Sequence, residues 1–221
     1  MSRVKSFEAP HKGLRNIISK FSLCLGQTDA SDDSQLEKLK SLGNEMFLLL
    51  NNHVHTENEH TLKNLEEKVK GSSEHDLADH RRLEVIQNSL QDRLNAMSHE
   101  ISSDELHQFY LDFSMYHSEY LQHIFEEETV TELLLQEHFT DEELIQQRIA
   151  IMGGMEFPIL LTWLKYTIPA QREEENVQML AGFKKNAPAH AFDAVLYTIK
   201  TEMDGNRYES LAAKLNRGFA D

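Results

Sequence analysis

Turn-forming residues are scarce in this chain, with 9 Gly and 4 Pro among 221 positions. An all-β protein with many hairpins needs far more of that chemistry, so the composition favours long helices. Cysteine is nearly absent. The single Cys24 cannot form an internal disulfide, which suits a reducing compartment and a cytoplasmic location. Basic residues are in deficit: 22 Lys and Arg against 37 Asp and Glu leave a formal charge of −15. That sign excludes the basic face a nucleic-acid-binding protein uses to contact phosphates. Long apolar runs are missing too. The longest, Met46–Leu50 and Phe157–Leu161, fall far short of the ~18 residues a membrane helix needs, and the first ten residues lack the apolar stretch of a secretory signal.

What is present is a hydrophobic fraction of 40%, ordinary for a folded chain, and an unusual 12 histidines. The spacing of apolar residues predicts helices almost throughout. Pro10 opens the first, with His11, Leu14, Ile18, Phe21 and Leu25 on one stripe. A second is predicted over 35–69, with Leu39, Leu42, Met46, Leu49 and His53 aligned. After the Gly71-Ser-Ser73 turn a third spans about 74–99, aligning Leu77, His80, Leu83, Gln87, Leu90, Leu94 and Met97. Ser102 or Ser103 caps a fourth, whose seam Phe109, Phe113, Tyr116, Tyr120, His123, Glu127, Val130, Leu134 follows heptad steps. Thr140-Asp-Glu-Glu143 is an N-terminal cap, and further helices are punctuated at Gly153-Gly154, Pro158, Pro169, Pro188 and Gly205. The expected fold is all-α: an antiparallel up-down four-helix bundle over 1–138, with a helical C-terminal extension over 139–221 packed on it.

Two inward faces carry the same spacing, His53-Val-His-Thr-Glu57 and His123-Ile-Phe-Glu-Glu127. Residues four apart stand one turn apart on one side of a helix, so imidazole and carboxylate reach a common point. The other two helices each place one histidine, His11 and His80, on their own stripe. Buried charged residues are rare unless paired or bound to metal. Four imidazoles and two carboxylates in one bundle suit a dinuclear iron site better than four-coordinate zinc. The carboxylates would bridge an oxo- or hydroxo-linked pair of non-haem iron ions, leaving about two coordination positions open for O2, NO or peroxide. The register His55-x-x-x-Glu59 and the pair His75-x-x-x-Asp79 have the same spacing but more polar faces. Glu126 and Glu128 read as a solvated face, and Tyr116 and Tyr120 as core residues or as donors to a bound oxygen species.

The order His11…His53-x-x-x-Glu57…His80…His123-x-x-x-Glu127 resembles the hemerythrin-like family, also called HHE cation-binding domains. The surroundings agree: Pro10-His-Lys-Gly-Leu-Arg15, His53-Val-His-Thr-Glu57-Asn, Ala78-Asp-His80 and Tyr120-Leu-Gln-His123-Ile-Phe-Glu-Glu127. The resemblance spans about residues 8–138. It implies a non-haem di-iron centre and roles in O2 binding, NO or redox sensing, or iron handling. Oxygen-carrying members offer two histidines four apart on the third helix, whereas His80 is followed four residues later by Glu84. Glu84 is therefore an additional candidate ligand, and reversible O2 carriage is disfavoured.

The expected activity is binding or sensing of a diatomic gas or a reactive oxygen or nitrogen species. The alternatives are a di-iron enzyme that activates O2 or reduces peroxide or NO, an iron-handling protein, and a metal-independent helical interaction module. The expected partner is a small diatomic or peroxide ligand, with no nucleic acid and no membrane, and a homodimer is left open.

Overall fold

The computed structural model describes residues 3–217, so positions 218–221 of the expected extension, like residues 1 and 2, lie outside it. The described residues form nine helices and no strands. Helix α1 covers Glu8–Gln27, with Pro10 in its first turn. Helix α2 runs over Asp33–Thr56, widens to π geometry at Glu57–Leu62 and resumes at Lys63–Lys68. Its start is fixed by Asp32, whose carboxylate accepts from the Ser34 and Gln35 amides. At the turn that follows, Gly71 takes φ +83°, a left-handed conformation that favours glycine, and its N–H donates to Glu66.

Helix α3 is Glu74–Ala96. Helix α4 covers Ser103–Glu126, a π turn at Glu127–Thr131 and then Glu132–His138, and begins with a capping box between Ser102 and Glu105. A second capping box, Thr140 with Glu143, starts α5 (Asp141–Gly154). Then come α6 (Phe157–Ala170), α7 (Glu173–Asn186), α8 (Ala189–Glu202) and α9 (Gly205–Arg217). Pro169, expected to punctuate the chain, instead lies inside the last turn of α6, and the helix ends one residue later at Ala170, with Gln171 as its C-cap.

Helices α1, α2, α3 and α4 pack in a ring, each against the next and α4 back against α1. Inside it, Leu14, Ile18, Phe21, Phe47, Leu50, Leu83, Leu90, Phe113 and Tyr116 form a dry core. The rings of Phe21 and Phe113 meet edge to face at 4.7 Å. The fold exceeds four helices because α6 lies along α1 and α2 and carries the remaining helices with it. Trp163 and Tyr166 of α6 join the first core, while Leu164 and Ile168 of the same helix join a second one with Leu180, Val195, Ile199 and Leu211.

The heptad seam of α4 does not continue as its spacing predicts. Val130 is 56% exposed, and the buried positions that follow Glu127 in this helix are Thr131, Glu132 and Leu135. A π turn holds one residue more than an α turn, so the inward face is displaced by one position from there on. The inward face of α3 also departs slightly from its pattern. Asp76 is buried where Leu77 was expected, and its carboxylate accepts from the Thr131 hydroxyl at 2.8 Å.

Close approach of α2 to its neighbours depends on Gly43. A Cβ there would collide with Leu94 Cδ2 and stand 2.8 Å from Phe21 Cε2. Overpacking of a dense core costs about 1–3 kcal/mol. Gly43→Val is therefore expected to lower the thermal midpoint by roughly 2–4 °C per kcal/mol for a chain of this size, read by circular dichroism.

Candidate metal centre

The four helices of the ring bring six titratable side chains to one interior level. His11 stands near the N-terminus of α1, His53 and Glu57 at the junction of α2 with its π turn, His80 on α3, and His123 and Glu127 at the corresponding junction of α4. All six are 5% exposed or less. Donor atoms of His11, His53, Glu57 and Glu127 lie within 4.8 Å of one another, and so do those of His80, His123 and Glu127. Glu127 belongs to both groups, which gives two sub-sites joined by one carboxylate.

The distances show how tightly the cluster closes. Glu127 Oε2 lies 3.3 Å from His11 Nε2, and Glu127 Oε1 lies 3.2 Å from His123 Nε2 and 3.4 Å from His80 Nε2. Glu57 Oε2 lies 3.3 Å from His53 Nε2 and 3.4 Å from His80 Nε2, so this carboxylate also stands between the two pairs of imidazoles. The His11 and His53 rings meet edge to face at 5.0 Å and those of His80 and His123 at 4.8 Å.

Counting residues from the second turn predicts an offset of ~8–14 Å between His80 and the pair on α2. The side chains nevertheless meet, with Glu57 Oε2 3.4 Å from His80 Nε2.

The inward atoms face only one another, at ion-pair distance and without hydrogen-bond geometry. His11 Nε2, His53 Nε2, His80 Nε2, His123 Nε2, Glu57 Oε2 and both Glu127 oxygens are buried and make no hydrogen bond. Leaving one such group unsatisfied costs about 1–3 kcal/mol, and more when it is charged. Native structures rarely orphan so many polar atoms in one place. The donor set therefore fits divalent cations, which would satisfy all seven atoms at once.

The outward edges of three imidazoles are held. His11 Nδ1 lies 3.0 Å from Glu128 Oε1, which also receives Arg15. His80 Nδ1 lies 2.7 Å from Asn58 Oδ1, and His123 Nδ1 faces Asp79 at 3.8 Å. Such outer partners set the tautomer and aim Nε2 inward. Glu128 was expected on a solvated face, but it is half-buried and holds His11. Burial works against its charge, yet His11 and Arg15 bring its carboxyl down to about 2. The sign of this role was Arg15, one turn along α1 from His11.

Protons compete for the same atoms. Burial opposes charge on His80, but the Glu127 and Glu57 carboxylates outweigh it and hold the imidazole up at about 10. His11 is raised in the same way. His53, dominated by burial, is pushed down to about 4. Against the penalty of burial, the surrounding imidazoles keep Glu57 and Glu127 below the usual carboxylate range.

Glu84 joins neither group. The inward face of α3 steps through Asp76, His80, Leu83 and Gln87, which leaves Glu84 half-buried at its edge. His55 and Glu59, the competing register, are exposed. His75 and Asp79 do meet at the surface with Glu126, whose Oε2 is 2.8 Å from His75 Nε2, in a cluster the sequence reading set aside. Tyr116 donates to Gln87 at 2.8 Å, whereas the Tyr120 hydroxyl is buried without a partner and its ring lies 6.0 Å from that of His123. Trp163 is buried, and its ring meets that of His53 edge to face at 6.3 Å.

No protein-family model, curated protein or solved structure matches this chain, so the site is defined by its own geometry. No helix of the described residues is long and apolar enough to cross a membrane.

Two outcomes are expected. Glu127→Gln removes the carboxylate common to both sub-sites, so metal analysis should show at least one ion lost per chain. In metal-free protein, His80 contributes stability that is full below its ordinary value near 6.5 and is lost as pH rises toward about 10. Denaturant melts should therefore show metal-free protein weakening between those limits, while metal-loaded protein, its imidazoles already neutral and ligated, does not weaken with it.

Proposed function

We propose that this chain is a non-haem di-iron protein, with His11, His53, Glu57, His80, His123 and Glu127 as ligands. Within that class we assign it to the hemerythrin-like bundles and give it the task of binding or sensing O2, NO or a reactive oxygen or nitrogen species in the cytoplasm. The observation that carries this reading is the set of seven orphaned inward atoms on four helices.

Iron is favoured over zinc because two imidazoles for each sub-site, with carboxylates between, under-fill two six-coordinate ions while exceeding one tetrahedral ion. Bound there, a pair of irons would supply redox chemistry and free coordination positions for a small ligand. The chain's own groups do the rest. Glu127, and Glu57 beside it, place negative charge between the two imidazole pairs. Glu128 and Asn58 keep His11 and His80 aimed inward. Leu14, Leu50, Leu83, Ile124 and the tyrosine rings exclude water from the interior. Tyr120 retains a hydroxyl proton that no protein atom receives, and burial beside Tyr116, Glu127 and Glu57 pushes its pKa well up. It can therefore donate to a ligand without ionising. The imidazole-rich donor set favours binding over oxygen activation, since oxygen-activating bundles are richer in carboxylate.

The test is iron analysis and rapid mixing. Protein reconstituted anaerobically should hold two irons per chain and, on mixing with O2 or NO, give a lasting change in its visible spectrum without continued consumption of ligand. Tyr120→Phe should keep both irons and weaken ligand retention about fivefold, the value of one hydrogen bond near 1 kcal/mol. One zinc per chain, or sustained turnover, would overturn the reading.

A further inference from the structure

A cavity of about 170 Å³ lies beside the cluster, and His53 and Glu57 form part of its wall. The facing wall comes from the C-terminal helices through Ile151, Met152, Met155, Trp163, Leu164 and Met179. The cavity is larger than a diatomic ligand requires. An apolar void of about 150 Å³ accommodates a benzene-sized molecule. The three methionines give it the adaptable lining found where ligands vary in shape.

One lining residue is cationic. The guanidinium of Arg148 donates to the Lys5 carbonyl at 2.7 Å, and it enters none of the ion pairs among the described residues. The cations around it are otherwise engaged: Arg3 with Asp141 and Lys5 with Glu8. Arg148 stands at the exposed rim of the cavity, so its guanidinium reaches both the apolar interior and solvent. A largely apolar pocket with one such fork is the arrangement that orients an amphipathic anion.

We propose that this cavity binds a small aliphatic or aromatic monocarboxylate of about six carbon atoms, its carboxylate on Arg148 and its apolar body against Trp163. The binding itself stands on the cavity. Its consequence, that the occupant controls what reaches the metal ions past His53 and Glu57, rests on the di-iron reading above. Residues 141–179 then have a task of their own, as the selective wall of the approach to the site.

Trp163 is the sole tryptophan, so its fluorescence reports the cavity directly. The full-length protein, metal-free and iron-loaded, is titrated with hexanoate and with 1-hexanol, with iron measured on the same samples. Hexanoate should give a saturable change, and hexanol one at least tenfold weaker in affinity. Arg148→Gln should lower hexanoate affinity about tenfold without altering the hexanol response. Ala9→Phe and, separately, Met152→Phe narrow the cavity and should abolish the response, with circular dichroism confirming the native fold.

A protein that holds two irons yet shows no saturable hexanoate response overturns this proposal and leaves the metal centre standing. A response without iron uptake overturns the di-iron reading and leaves the cavity. Equal affinity for acid and alcohol, or an indifferent Arg148→Gln, overturns the carboxylate assignment.

Discussion

Two carboxylates enclosed at one level of a helical ring, with four imidazoles turned toward them, set the terms for the rest of the molecule. Glu57 and Glu127 are 5% exposed or less, and no lysine or arginine among the described residues pairs with them. Charge of that kind is tolerable only with positive charge at contact distance. Protons on His11 and His80, or cations between the carboxylates, are the two ways to supply it. The helices, their caps and the outer partners Glu128 and Asn58 hold that opposition in place.

The two π turns are part of the same design. Each begins at a glutamate of the cluster, Glu57 in one helix and Glu127 in the other, and each lies on the inward face. Widening the helix there costs regular hydrogen bonding, and such distortions gather at functional sites. Both helices thus depart from regularity where the cluster needs a carboxylate one turn beyond an imidazole.

Much of this was legible in the sequence. The spacing of His53 with Glu57 and of His123 with Glu127, and the lone histidines on two apolar stripes, single out the six residues whose donor atoms the structure brings together. Helix starts were legible from Ser102 and Thr140 because a cap is a local device, whereas the cap at Asp32 went unread and the second helix begins two residues before position 35. The displaced seam at Val130 was not, since nothing in a periodic pattern announces one added residue in a turn. Nor was the role of Glu128, whose meaning depends on α1 lying beside α4, a fact of packing rather than of spacing. Glu84, the candidate taken from the position of a second histidine in oxygen-carrying members of the family that the chain resembles, lies half-buried where the packed face of α3 turns past it.

Helix α6 gives different faces to two cores: Trp163 and Tyr166 to the ring, Leu164 and Ile168 to the cluster beyond. A helix used from two sides leaves no clean seam for separating the half that carries the His/Glu cluster from the rest. Shortening the chain at residue 138 would strip the groove of α1 and α2 and bare aromatic surface there. The geometry of the cluster and the integrity of the distal helices should therefore hold or fail as one cooperative unit, which makes the C-terminal half a structural partner of the cluster rather than an appendage.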